Sequence, residues 1–277
     1  DRTVSSPNPG VAKQIIASAI VSISALSFGL MQGWNSPMTS KLQSENSPVG
    51  PMSQHEIANL FSFPAYFALF VGISMIYVTN RFGRKPAMIV SSILCAIGFL
   101  IIAFAISQPW LFFGKALSNL AGGGIGGPQM YISETVHPSI RGILMSACTM
   151  QINVGILLAY ILGKIMNFQL FNIVLSAVPA IFTILMFWLP ETPYFLVGRS
   201  KYVGAKKSLL WFRGGDINLA EQELEVIKNL LQPNEKGEIT ILQEMAQPAT
   251  KVALIVSAVG YILQTLSGIH SVINYAG

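Results

Sequence analysis

The chain has 277 residues, of which 52% are hydrophobic and only 10% are charged. Soluble domains carry about 25% charged residues, so this composition excludes an ordinary water-soluble domain. The formal net charge is +5, but the basic residues stand beside apolar runs, where they act as topology signals rather than as a surface for nucleic acid. Both cysteines lie inside apolar runs and indicate neither a disulfide framework nor a metal site.

Seven apolar runs are long enough to cross a membrane. A helix needs about 20 residues to span the hydrocarbon core, and the backbone groups inside that core must be satisfied within the helix. The predicted spans are 14–34, 57–79, 86–107, 110–132, 143–166, 170–190 and 252–276. The sequence therefore predicts an all-α integral membrane protein that crosses the bilayer repeatedly.

The distribution of lysine and arginine predicts the orientation. If the N-terminus lies inside, the cytoplasmic side holds Arg2, Lys13, Arg81, Arg84, Lys85, Arg141 and all basic residues from Arg199 to Lys251. Only Lys41, Lys115 and Lys164 fall on the other side or within its half of a span. Because basic loops stay in the cytoplasm, we expect a cytoplasmic N-terminus and a polar outer loop over 35–56.

The longest connection, 191–251, is cytoplasmic in this orientation and carries helical signals. Residues 216–232 offer Asp216 or Asn218 as an N-cap. They also place apolar residues at near-helical spacing, namely Leu219, Leu224, Ile227 and Leu231. Since the preceding stretch 203–212 is similarly amphipathic, we expect two or three short helices beneath the membrane.

Six spans, a cytoplasmic helical segment and a further span are typical of transporters built from two six-span halves. The predicted units are a six-helix transmembrane half (1–190), a cytoplasmic helical linker (191–251) and the first helix of a second half (252–277). We expect a truncation after the seventh span, because this span runs to the last residue. A seven-span receptor is disfavoured, since such receptors place the N-terminus outside. No nucleophile–base set or metal-ligand cluster stands out, so neither enzyme activity nor a cofactor is expected.

Charged residues recur where the predicted spans meet the cytoplasm. Arg81 and Arg84 flank Gly83 in the turn between spans two and three, and Glu134 and Arg141 stand near the end of span four. Glu191 follows span six at the same level. A carboxylate at a membrane boundary is retained most readily when it is paired. We therefore predict a cytoplasmic charge cluster that forms in one conformation and breaks in another, as a gate requires; its members are Arg81, Arg84, Glu134, Arg141 and Glu191.

Four motifs occur in order along the chain: "RFGRK" from residue 81, "YISE" from 131 followed by "RG" from 141, "PETP" from 190, and "QTLSGIHSVINY" from 264. In order and spacing they resemble the signatures of the sugar porter family of the major facilitator superfamily, and the resemblance covers the whole chain. "GWNSP" and "NVGILLAY" look most like insect facilitated trehalose transporter-like proteins. The resemblance implies a major facilitator fold, here the N-terminal six-helix half, the cytoplasmic helices and the first helix of the second half.

The resemblance also implies sugar-binding positions. Gln264 matches a family glutamine that binds sugar hydroxyls from span seven, and His270 and Asn274 are further polar groups in that span. Gln151 in span five and Gln32 in span one are additional amides at membrane depth. The expected partners are a sugar, such as trehalose or a hexose, and the lipid bilayer of the plasma membrane, with no nucleic acid and no obligate protein partner evident.

The lack of an acidic residue in the middle of span one predicts the mode of transport. Proton-coupled sugar porters carry an acidic residue in the middle of span one, where this chain has Met31. The resemblance therefore implies facilitated diffusion, with a proton-coupled symporter as an alternative. The chain also departs from the family at Asn80, Lys115 and His270, which keeps open a diverged relative that does not transport, either a sensor or a truncated product.

Overall fold

The computed structural model describes residues 10–120, 126–231, 247–269 and 272–273. Throughout these ranges every regular element is a helix, so the all-α prediction is confirmed. The helices in chain order are α1 (Val11–Gly33), α2 (Asn35–Gln43), α3 (Gln54–Phe82), α4 (Arg84–Ala103), α5 (Gln108–Leu120), α6 (Gly126–Thr135), α7 (Pro138–Ile165), α8 (Phe168–Met186), α9 (Pro193–Gly198), α10 (Tyr202–Phe212), α11 (Ile217–Leu231) and α12 (Pro248–Leu266).

Within the residues that the structure describes, each of the seven predicted spans contains helix, and the fourth contains both α5 and α6. Four helical stretches within the described ranges are long and apolar enough to cross a membrane: Val11–Gln43, Arg84–Ala103, Pro138–Ile165 and Phe168–Met186. Helix formation here follows from the solvent, because an unpaired N–H or C=O group in hydrocarbon costs several kcal/mol. The chain is a membrane protein.

The first span is longer than predicted. α1 continues into α2 through Trp34, whose φ of −58° and ψ of −35° are helical. The predicted outer loop therefore begins with a helix, and its polar residues Asn35 and Ser36 are buried within the protein. Lys41 on α2 donates a hydrogen bond to the carbonyl of Met166, just beyond the end of α7. The extension is thus attached to the end of α7, which a polarity-based boundary could not anticipate.

The spans pack around close backbone contacts. A Cβ atom at Gly29 of α1 would collide with the Ile152 carbonyl and approach the Cα of Gly155 on α7, so this small residue allows the two helices to approach closely. Large side chains fill the space on either side. One core contains Trp34, Met38, Phe99 and Phe171, and the other contains Val21, Tyr131, Phe182 and Phe212.

The predicted cytoplasmic helices are α9, α10 and α11. The Asp216 carboxylate accepts a hydrogen bond of 3.0 Å from the Leu219 N–H, so Asp216 rather than Asn218 caps α11. Leu224 and Ile227 are buried against α9 and α10, whereas Leu231 is 46% exposed. α10 delivers Phe212 into the transmembrane core. The three helices therefore pack on one another and on the spans.

Candidate functional site

The turn between α3 and α4 consists of one residue, Gly83. Its φ of +113° and ψ of 168° fall in a region that is essentially restricted to glycine. A Cβ atom here would collide with the carboxylate of Glu191 and press on the ring of Phe195. Glycine is therefore required for two reasons: the backbone conformation of the turn, and the close approach of the chain to Glu191.

Arg84 follows this turn and pairs with Glu134 on α6. The Arg84 Nη2 and Nε atoms donate to the Glu134 Oε1 atom at 2.7 and 3.1 Å. The two side chains are only 12% and 11% exposed. Arg84 also lies over the Phe195 ring, 5.5 Å from its centroid. Because the pair is largely removed from water, each charge is compensated mainly by the other.

Glu191 accepts hydrogen bonds from main-chain groups rather than forming a close ion pair. The Lys85 N–H donates to its two oxygens at 3.1 and 3.3 Å, and the Thr192 N–H donates at 2.8 Å. Burial raises the pKa of the Glu191 carboxyl, while these two N–H groups and the Arg84 charge act in the opposite direction. Glu191 therefore binds a proton more readily than an exposed glutamate does.

The structure does not bring Arg81 and Arg141 into ion pairs within its described part. Arg81 is exposed in the last turn of α3, because the chain reverses only two residues later, at Gly83. Arg141 donates to the Val136 carbonyl at 3.3 Å. The Arg141 Nε atom and the Glu134 Oε2 atom are buried without a hydrogen bond among the described residues. Of the predicted cluster, Arg84 and Glu134 are joined directly and Glu191 is held beside them by Lys85.

Two cations cap helices in a way that the sequence did not reveal. The Lys85 Nζ atom donates to the carbonyls of Phe187 and Leu189 at 3.0 and 2.6 Å, beyond the C-terminus of α8. Arg199 donates to the carbonyls of Asn80 and Arg81 at 2.8 and 3.0 Å, at the end of α3. A cation at a helix C-terminus satisfies orphan carbonyls and complements the helix dipole. Arg199, from the end of α9, therefore caps the C-terminus of α3.

A polar junction joins the cytoplasmic helices to the spans. Fully buried Gln14 of α1 donates to the Phe212 carbonyl at 3.0 Å and accepts from the His137 N–H at 2.9 Å. Arg213, only 5% exposed, donates to the Thr135 carbonyl at 3.0 Å and to Glu223 at 2.7 Å. These bonds hold α10 and α11 against α1 and the turn between α6 and α7. Gln14 was not recognised from sequence, since a lone amide in a span gives no partner-specific signal.

The predicted sugar-binding residues are dispersed. Gln32 and Gln151 are half-buried on α1 and α7, and Gln264 is exposed on α12. His270 and Asn274 lie outside the described residues. A cavity of ≈ 40 Å³ inside the bundle is lined by other polar groups, including Ser24, Ser27, Ser91, Ser92 and Gln129. This volume accommodates water rather than a sugar in the present conformation.

Gln129 and Thr149 form a polar pair that the sequence reasoning did not assign. The Gln129 Nε2 atom donates to the Thr149 hydroxyl at 3.4 Å, linking α6 to α7. Gln129 also lines the cavity, whereas Gln151 does not. The helical rotation of about 100° per residue is the reason, because Cys148 and Ile152 of α7 face the cavity and Gln151 turns away from it.

A buried cation lies deeper in the bundle. Lys115 is 2% exposed, and its Nζ atom lies 4.1 Å from the centroid of the Trp34 ring. The Trp34 Nε1 atom in turn donates to the Asn172 side-chain oxygen at 2.7 Å. Among the residues that the structure describes, Lys115 forms no salt bridge. The Lys115 amine thus lies against an aromatic face.

The pKa shift of Glu191 predicts a pH-dependent stability. Because the folded-state pKa lies above its ordinary value of 4.5, the folded state binds the proton more tightly than the unfolded state does. The resulting stabilisation is full below pH 4.5 and is lost as the pH rises through the raised pKa. A Glu191→Gln variant should lack this part of the pH dependence. Thermal unfolding midpoints of both proteins across the acid-to-neutral range measure the difference.

The matched control for this experiment is Glu225→Gln, which changes a 64% exposed carboxylate on α11. Its unfolding midpoint should follow the wild-type pH dependence. A difference between wild type and Glu191→Gln that stays constant with pH would contradict the role assigned to Glu191.

Comparison with known proteins identifies the family. The family model described as "Sugar (and other) transporter" matches residues 17–277. The facilitated trehalose transporter Tret1 of Drosophila grimshawi is 27% identical over 95% of this chain and 28% of its own length. The Bombyx mori protein of that name is 28% identical over 95% of this chain and 51% of its own length. The chain thus spans about half or less of the length of these curated relatives.

Solved structures support the same fold. The partially occluded inward-open xylose transporter XylE from E. coli matches 95% of this chain and 66% of its own, with a TM-score of 0.73 and 21% identity. The major facilitator superfamily proton:xylose symporter XylE bound to 6-bromo-6-deoxy-D-glucose matches 79% of this chain and 54% of its own, with a TM-score of 0.67 and 21% identity. The predicted all-helical transporter fold is thereby confirmed. The resemblance carried by the four sequence motifs is confirmed as well, and the chain belongs to the sugar (and other) transporter family.

Proposed function

We propose that the protein to which this chain belongs transports a sugar by facilitated diffusion through alternating access. The family match over residues 17–277 carries this proposal. Trehalose is the first candidate substrate, since the relatives compared above are named as facilitated trehalose transporters. A hexose such as glucose is the second.

The proposed structural units follow one another along the chain. Residues 1–190 form the first transmembrane half, 191–251 form the cytoplasmic linker, and 252–277 begin the second half. The charge cluster lies where the first half meets the cytoplasmic helices, with the Arg84–Glu134 pair joining α4 to α6. Such a pair forms part of a gate if rearrangement of the spans changes its environment. The N-terminus is proposed to be cytoplasmic and the membrane to be the plasma membrane.

The proposed sugar-binding residues are Gln32, Gln151, Gln264, His270 and Asn274. Amide and imidazole groups suit this role because they both donate to and accept from hydroxyls. Gln129 is added to this set, because it lines the cavity in the bundle. The proposed partners are the sugar and the bilayer lipid.

The proposed uniport mechanism is supported by the surroundings of Met31 and Lys115. Met31, at the span-one position that is acidic in proton-coupled porters, is only 3% exposed and lies among apolar side chains. Lys115 lies against the Trp34 ring instead of a carboxylate. A proton cannot be coupled through an acidic group that this position lacks. Proton-coupled transport is the second candidate, because one structural neighbour is itself described as a proton:xylose symporter.

Uptake of labelled trehalose and of labelled glucose by the full-length protein in oocytes tests the proposal. We expect saturable equilibration of at least one sugar, at a rate that is insensitive to acidification of the outside medium. Uptake that accelerates at acid outside pH would replace uniport by proton coupling. If neither sugar enters faster than in uninjected cells, the transport proposal is wrong, and a non-transporting relative is the better description.

A further inference from the structure

Tyr160 connects the first six spans to the seventh. Its hydroxyl group on α7 donates a hydrogen bond of 2.7 Å to the main-chain carbonyl of Ile273. Ile273 lies beyond the end of α12, after Gly268, whose φ of +72° interrupts the helix. Tyr160 stands five residues before the end of α7 at Ile165, so the contact is remote from the charge cluster at the other end of the spans.

The acceptor of this hydrogen bond is a main-chain group. A hydrogen bond to a main-chain carbonyl does not depend on which side chain occupies position 273. It does require α7 and the seventh span to lie side by side at this level. In a membrane interior, where water cannot replace a lost donor, such a bond favours the arrangement in which the two segments are adjacent.

Part of this face of α7 is exposed. Asn153 lies seven positions, or about two helical turns, before Tyr160 and therefore shares its face. The Asn153 side chain is exposed, whereas Tyr160 is half-buried. Tyr160 thus stands between the exposed face around Asn153 and the end of α7 that is remote from the charge cluster.

We propose that Tyr160 is a positioning residue of the outer gate. Its hydrogen bond to the Ile273 carbonyl holds α7 against the seventh span and closes the pathway on the side away from the charge cluster. Opening to the outside separates the two segments and breaks the bond. This role rests on the proposed alternating access, and it assigns to Tyr160 a function distinct from the sugar-binding and cytoplasmic positions above.

The test measures opening directly in the full-length protein. Asn153→Cys supplies a reporter thiol on the same face of α7 as Tyr160, and the natural Cys95 and Cys148 are only 2% and 1% exposed. A membrane-impermeant maleimide is added from outside, and the labelling rate constant is measured with and without Tyr160→Phe. Loss of one hydrogen bond should increase this rate constant about three- to fivefold.

The matched control is Tyr66→Phe, which deletes the same hydroxyl from a tyrosine that is 74% exposed on α3. Its labelling rate constant should equal that of the reporter alone. The rate constant does not depend on how much protein reaches the surface, so a reduced yield of a variant does not disturb the comparison. Equal rates for Tyr160→Phe and Tyr66→Phe would overturn the gate assignment.

Uptake measured in the same cells separates the gate from the proposed function. Faster labelling in Tyr160→Phe without sugar uptake by any variant would support the gate and refute transport. Normal uptake with unchanged labelling would refute the gate and leave transport intact.

Discussion

Replacement of Glu134 by glutamine should destabilise the protein by about 3 kcal/mol. The substitution preserves the shape of the side chain but leaves Arg84, which is 12% exposed, without a counter-charge. Arg84 donates two hydrogen bonds to the same Glu134 oxygen, and removal of one member of a buried pair leaves the other charge desolvated. The thermal unfolding midpoint of the purified full-length protein, compared with wild type, measures the loss.

An exposed pair within the same protein provides the control. Lys206 and Glu221 form a salt bridge of 2.5 Å between α10 and α11, with side chains 40% and 54% exposed. Glu221→Gln should change the free energy of unfolding by no more than about 0.5 kcal/mol, because water screens such a pair. Equal losses for Glu134→Gln and Glu221→Gln would show that burial does not strengthen the Arg84–Glu134 interaction.

A double-mutant cycle isolates the interaction itself. Arg84→Gln should cost about as much as Glu134→Gln, since it strands the opposite charge. The double variant should lose clearly less stability than the two single losses together, because neither charge is then buried alone. Additive losses would mean that the two side chains act through separate neighbours.

The fold was largely predictable because the bilayer restricts the alternatives. Hydrocarbon allows only structures whose backbone groups are internally satisfied, so seven apolar runs sufficed to locate the spans. The extension of the first span through Trp34 was missed, because Asn35 and Ser36 looked like loop residues. Both are buried inside the bundle, where protein rather than lipid surrounds them, and polarity alone does not mark that boundary.

The candidate site was less predictable, because its contacts depend on rotation about helix axes. The sequence places Arg81, Arg84 and Lys85 within five positions, yet the three side chains have different surroundings and partners. Arg81 is exposed, Arg84 pairs with Glu134, and Lys85 caps α8. Which cation reaches which partner is decided by the turn at Gly83, whose exceptional φ cannot be derived from residue type alone.

Gly83→Ala should lower the free energy of unfolding by about 3 kcal/mol and should also displace the Glu191 carboxylate. The backbone at φ +113° and ψ 168° is strained by any side chain, at about 1–3 kcal/mol. The added methyl group would also collide with the Glu191 carboxylate. Displacement of Glu191 would withdraw it from the Lys85 and Thr192 N–H groups, which adds the cost of a buried, poorly satisfied carboxylate. The unfolding midpoint should fall accordingly.

Gly142→Ala is the matched control, because Gly142 lies within α7 and a Cβ atom there meets nothing within 4 Å. That change should be neutral or should stabilise by up to about 1 kcal/mol, as alanine favours helix. Gly83→Ala combined with Glu191→Ala separates the two costs. Removal of the carboxylate relieves the collision but not the backbone strain, so the double variant should lose less than the two single variants together. If the losses simply add, the turn requires glycine for its backbone conformation alone, and the close approach to Glu191 contributes nothing.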